Sequence, residues 1–200
     1  TLTMVGNLDY LFGMKHLTQK FLYPLAVVLL FTISCASVQH GHDENGHTVP
    51  PDTSSAELNR MKELAGTWTS TTSMFGKKDE QVFTEYSVTA GGSAVLEKIF
   101  PGTPNEMVSL YYDDDQGKLA MTHYCMMRNR PYFTLVSSSN DEFKFDVTKI
   151  EGQKSKDTPS MGAITLKFEG KDHYVTSCES GDKTEENHEP MAMRYTRVKK

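Results

Sequence analysis

The sequence predicts an all-β fold, an antiparallel up-and-down closed barrel of about ten strands preceded by a short N-terminal helix. Three observations predict it. First, apolar residues recur at every second position in short runs such as Phe143, Phe145, Val147 and Ile164, Leu166, Phe168, the period of a strand with one buried face. Second, turn signals separate the runs: Gly91-Gly92, Pro101-Gly102, Gln116-Gly117, Gly170-Lys171-Asp172 and Ser180-Gly181-Asp182. Third, helical spacing in the folded part is confined to one segment near residue 60, so no helices are left to cover the edges of a long meander. A sheet in that position removes its edges by closing on itself.

Before the barrel comes an export segment. Residues 14–36 read as a secretory signal, with Lys15, His16 and Lys20 as its basic start and Phe21–Ile33 as its apolar stretch. Met14 is a candidate start, which makes residues 1–13 an upstream extension of the gene. The stretch Ile33-Ser34-Cys35 resembles the lipobox of bacterial lipoproteins, which implies lipidation of Cys35 and a membrane anchor. The rival is ordinary signal-peptidase cleavage after Ala36, with Ser34 and Ala36 as the small pair. Residues 37–55 lack apolar periodicity and read as a linker that cannot bury enough surface to fold. His40, His42 and His47 in this linker form a tract able to bind metal weakly.

The folded domain spans residues 56–200. Ser54, Ser55 and Glu57 open a helix whose apolar face is Leu58, Met61, Leu64 and Ala65, with Gly66 as its stop, for about three turns. Trp68 opens the first strand. Val82–Thr89, Ala94–Phe100, Met107–Tyr112 and Leu119–Cys125 follow as the next four. Tyr132–Val136, Phe143–Val147, Ile164–Phe168, His173–Glu179 and Pro190–Val198 complete the meander, with Glu151–Ser160 as a polar loop. The expected inward set is Val82, Tyr86, Leu96, Leu119, Met121, His123, Phe143, Phe145, Leu166 and Phe168. Parity within a strand is firm, but a slip of one residue exchanges the faces.

Met121–Pro131 is the densest stretch of reactive side chains, holding His123, Cys125, Arg128, Asn129 and Arg130 at the end of a strand. It reads either as a ligand or metal site or as a buried His and Cys satisfied by their neighbours. Other candidate cavity groups are Glu97, which shares a face with Val95 and Ile99, and Tyr86 and Tyr111. A net charge of −5 without a basic patch argues against nucleic acid as a partner. The chain carries no Gly-rich phosphate loop, His-Glu-x-x-His pair or nucleophile elbow. An exported domain meets an oxidising environment, so Cys125 and Cys178 are an expected disulfide. The rival is two free thiols, with Cys125 beside His123 as a metal site.

The order of these elements resembles the lipocalin-like, or calycin, barrels. The match rests on a short helix, Gly66-Thr67-Trp68 opening the first strand, and an Arg in the last strand. The resemblance implies a structural role for Gly66 and Trp68, with Arg197 (or Arg194) packed over the indole. Within that group, Thr122-His123-Tyr124-Cys125, Asn129, Pro131 and Asp172-His173 resemble an uncharacterised bacterial lipocalin-like family. Met126-Met127-Arg128 and Arg130 depart from its usual small or amide residues, and Cys178 from its usual aromatic. The resemblance implies an internal cavity without naming a reaction or a cofactor.

Three functions are open to such a chain. One is a tethered protein binding a small hydrophobic or amphipathic molecule, with His123, Arg128, Asn129, Tyr86, Tyr111 and Glu97 as the placed polar groups. Another is haem or metal binding through His123. The third is an enzyme with His123 as general base and Arg128 as anion partner.

Overall fold

The computed structural model describes residues 50–155, 158–181 and 190–199. The expected signal segment, Cys35, and His40, His42 and His47 lie outside the described residues. Among the described residues no helix is long and apolar enough to cross a membrane.

One helix, α1 (Ala56–Lys62), precedes ten strands: β1 (Gly66–Thr72), β2 (Glu80–Thr89), β3 (Ala94–Ile99), β4 (Met107–Asp113), β5 (Leu119–Tyr124), β6 (Arg130–Ser138), β7 (Glu142–Glu151), β8 (Met161–Phe168), β9 (His173–Ser180) and β10 (Met191–Arg197). Every strand pairs antiparallel with its chain neighbour, and β1 also pairs with β10 to close the barrel. The all-β, up-and-down closed barrel of ten strands expected from the alternation is therefore the observed fold. Closure leaves no strand with an open ladder of N–H and C=O groups.

α1 is capped as expected but is shorter than expected. The Ser55 hydroxyl accepts from the Leu58 N–H at 3.0 Å, and Asp113 in turn accepts from the Ser55 N–H and hydroxyl. The helix stops at Lys62 and not at Ala65: the N–H groups of Glu63, Leu64 and Ala65 tighten onto the carbonyls three residues back, and the carbonyls of these three residues go to donors outside the helix. Trp68 Nε1 donates to the Leu64 carbonyl at 2.7 Å, and the Arg197 guanidinium donates to the carbonyls of Glu63 and Ala65, each at 2.8 Å. Leu58, Met61 and Leu64 are buried and close one end of the barrel.

Arg197 also lies over Trp68, with Cζ 4.2 Å from the ring centroid. Gly66 makes room for this lid. It holds φ at +129°, and a Cβ on it would stand 3.2 Å from Arg197 Nη1. Beneath the indole, Trp68 meets Tyr174 edge-on at 4.7 Å, and Tyr174 stacks on Tyr195 at 4.5 Å and 6°. The helix end of the barrel is therefore a solid aromatic plug.

Nine of the ten residues expected to face inward are buried: Val82, Tyr86, Leu119, Met121, His123, Phe143, Phe145, Leu166 and Phe168. Leu96 is the exception. It is half-buried on the outer face, opposite Ser87 and Leu110, while Val95 and Glu97 turn inward. β3 is apolar on both faces, so hydrophobicity alone does not choose between them. The register with β2 and β4 does.

Candidate functional site

The end of the barrel opposite α1 is hollow. A cavity of about 370 Å³ runs from the rim down to Glu97, Ser109, Tyr111, His123 and Tyr195. Eight of the eleven methionines line it. Met121 and Met193 project from strand interiors, and Met74, Met107, Met126, Met127, Met161 and Met191 stand nearer the rim. Four of these, Met74, Met126, Met127 and Met191, are exposed. Unbranched thioether side chains repack readily around different shapes, which makes this wall adaptable.

The floor is polar and ordered by strand register. Tyr86 pairs with Glu97, Glu97 with Ser109, and Ser109 with His123, across β2, β3, β4 and β5. Cross-strand partners share a face, so the four side chains form one lateral row inside the barrel. Tyr86 donates its phenolic proton to Glu97 Oε1 at 2.5 Å, and Tyr111 donates to Oε2 at 3.0 Å. Tyr174 donates to the Tyr86 oxygen at 3.2 Å. Ser109 Oγ lies 3.0 Å from His123 Nδ1.

Burial shapes the acid–base character of this row. Glu97 is 5 % exposed, and desolvation raises its carboxyl above the ordinary value, against the opposing pull of the Tyr86, Ser109 and Tyr111 hydroxyls. The phenols of Tyr86 and Tyr111 are pushed well up, first by desolvation and then by the neighbouring carboxyl. His123 is 2 % exposed, and desolvation lowers it to about 4, so the ring is neutral at pH 7. Its Nε2 is buried on the cavity wall with no hydrogen-bond partner among the described residues. A buried ring nitrogen left without a protein partner is costly in a folded protein.

The remaining sequence-based candidates divide. Glu97, Tyr111 and His123 line the cavity; Tyr86 lies below the floor and acts on it through Glu97. Arg128 does not join them. It ends the tight turn after β5, where its N–H donates to the Cys125 carbonyl at 2.9 Å and φ is +61°. That left-handed backbone turns the exposed Arg128 to the outer surface, into a groove with Tyr124, Glu151 and Gly152. Gly152, at φ +75°, packs so closely there that a Cβ would lie 2.9 Å from the Arg128 carbonyl oxygen. An anion partner for His123 is thus not supplied by Arg128. Asn129 is buried but spends its amide on the Pro159 carbonyl at 3.1 Å, pinning the loop before β8 to the turn.

Cys125 and Cys178 are both free thiols and both line the cavity, so the expected bridge is not formed. Cys178 is on β9 and Cys125 just past β5, with three strands between them one way round the barrel and five the other. Three strands separate their places in the sheet, and neither thiol is bonded to the other. Desolvation, with Cys125 nearby, pushes the Cys178 thiol up to about 11.

Ser109, Tyr195 and the methionine wall were not singled out from the sequence. The methionines were findable: eleven in two hundred residues, with Met126-Met127 adjacent and Met191 and Met193 on one strand face. Ser109 was not, because a lone Ser in a strand carries no signal until its register partners are known. Among the described residues no three His, Cys, Asp or Glu side chains converge as a metal site.

Compared with known protein families and with curated protein sequences, the chain matches none. The closed ten-stranded antiparallel barrel is compatible with a lipocalin-like fold.

Proposed function

We propose that this protein is an exported, lipid-anchored barrel of the lipocalin-like kind that holds a small apolar or amphipathic molecule in its cavity. One observation carries the binding reading: a hollow of about 370 Å³, walled by methionine and floored by a few polar groups, open at the end away from the helix plug. Ligand sites in barrels have this size and this mixture of apolar walls with a few convergent polar atoms. Export and anchoring are supported by the basic and apolar pattern of residues 14–36 and by Cys35 at its end.

Organic extraction of the purified protein followed by mass spectrometry tests the binding reading. A stoichiometric small molecule, displaced when Ile164→Trp fills the cavity, is the expected result. Labelling with a radioactive fatty acid tests the anchor. It is expected to disappear in Cys35→Ser, and label that persists in that variant removes the lipoprotein reading.

A second reading, haem or metal binding through His123, is favoured by its neutral ring and unpaired Nε2. An absorbance spectrum of the purified protein with a Soret or charge-transfer band that is absent from His123→Gln would replace the first reading with this one.

A further inference from the structure

The floor of the cavity holds a buried carboxyl, and among the described residues the cavity lining brings it no cation. Resting on the binding function proposed above, we infer that the cavity takes a hydrophobic amine, with Glu97 as the counter-ion of its ammonium group.

Register puts Glu97 in this position. It stands on the inner face of β3, between Tyr86 on β2 and Ser109 on β4. It lines the cavity and is 5 % exposed. A glutamate is almost never buried to this degree without a partner. The partners that hold it are two neutral phenols: Tyr86 donates to Oε1 at 2.5 Å and Tyr111 to Oε2 at 3.0 Å. Two phenols do not exhaust a carboxylate, which accepts up to about four hydrogen bonds. Among the described residues no Lys or Arg lines the cavity. Arg128, the cation nearest in sequence to the floor histidine, lies in the outer groove beyond the turn. His123 is neutral at pH 7. The other titratable groups of the lining, Tyr111, Tyr195, Cys125 and Cys178, have no positive form.

A guest that carries its own cation completes this floor. The same pair forms from either state of the empty site. An ionised Glu97 takes up an ammonium directly. A protonated Glu97 passes its proton to the nitrogen of a neutral amine, and the products are again a carboxylate and an ammonium. Tyr111, which holds the carboxyl, and Tyr195 add aromatic rings to the same lining, and such rings attract cations. The apolar remainder of the guest is buried among Met121, Met193, Ile164 and Leu166. An anionic guest meets the reverse situation: its charge enters a dry site that offers a second carboxyl and no cation.

Three naphthalene probes of similar shape test this on the full protein at pH 7, each followed by its fluorescence: 2-naphthylmethylamine, 2-naphthylmethanol and 2-naphthoate. The amine is expected to bind about tenfold more tightly than the alcohol, the factor a charge-assisted hydrogen bond supplies, and to be displaced by it. The naphthoate is expected to bind most weakly. In Glu97→Gln, which keeps the shape of the side chain, the amine should lose about tenfold in affinity while the alcohol changes by less than about twofold. An alcohol or naphthoate that binds the wild-type protein as tightly as the amine overturns the counter-ion and leaves the apolar cavity standing, and that comparison needs no variant. An amine preference that persists in Glu97→Gln also overturns it. Saturable binding of none of the three probes removes both the inference and the function on which it rests.

Discussion

Lowering the pH should destabilise this protein through His123 more than through any other ring in the floor. The ring is 2 % exposed, and burial lowers it from 6.5 to about 4. In the unfolded chain the same ring takes a proton near pH 6.5. Between pH 6.5 and 4 the unfolded state therefore binds more protons than the folded state, so stability rises with pH across that window. The contribution is fully present above pH 6.5 and is lost as pH falls towards 4. At about 1.4 kcal/mol for each pH unit, the difference between 6.5 and about 4 amounts to about 3 kcal/mol. Glu97, raised by burial, acts in the opposite sense: its contribution is greatest below its unfolded value near 4.5 and declines as pH rises towards its folded value. Tyr86, Tyr111 and Ser109, which also face the carboxyl, do not titrate in this range. Comparison with His123→Gln isolates the imidazole. Urea unfolding at pH 7 and pH 4.5 should show the wild-type protein losing about 2–3 kcal/mol more than the variant. Identical pH dependence in both proteins would refute a buried, neutral His123.

Other perturbations reach different parts of the barrel. Arg197→Ala removes both the cation–π lid on Trp68 and the donors to two carbonyls of the α1 end; thermal unfolding should show a loss of about 2 kcal/mol, and Arg197→Lys should recover only part because an ammonium cannot stack and fork at once. Trp68→Ala opens the aromatic plug and should cost about 4 kcal/mol by the same measurement. Alkylation under non-reducing conditions should modify both Cys125 and Cys178, with Cys178 slow at pH 8 because burial holds its thiol near 11. Thiols that react only after reduction would contradict the free pair.

The fold was legible because each strand carries its own evidence. Phe143, Phe145 and Val147 alternate with Lys144 and Asp146, and a glycine or aspartate turn stands near most strand ends. Arg197 over Trp68 was legible only through a resemblance, since residues 129 positions apart leave no local mark on each other. Three things resisted reading, each for a non-local reason. Leu96 and Glu97 could not be assigned faces because both sides of β3 are apolar, and only pairing with Tyr86 and Ser109 settles them. Arg128 and Asn129 looked like site residues because of the chemistry beside them, but the left-handed turn at Arg128 separates them from His123. The Cys125–Cys178 pairing followed from the two thiols left once Cys35 is lipidated or removed, whereas three strands of the barrel separate them and both are free.

The central claim is that the barrel is hollow and takes an apolar guest above His123. A titration of 2-naphthol into the wild-type protein and into Ile164→Trp, whose indole would occupy the cavity, tests it most directly. The account predicts one-to-one saturation in the wild type and its loss in a variant that still unfolds cooperatively. Equal binding in both proteins, or no saturable binding in the wild type, would contradict it.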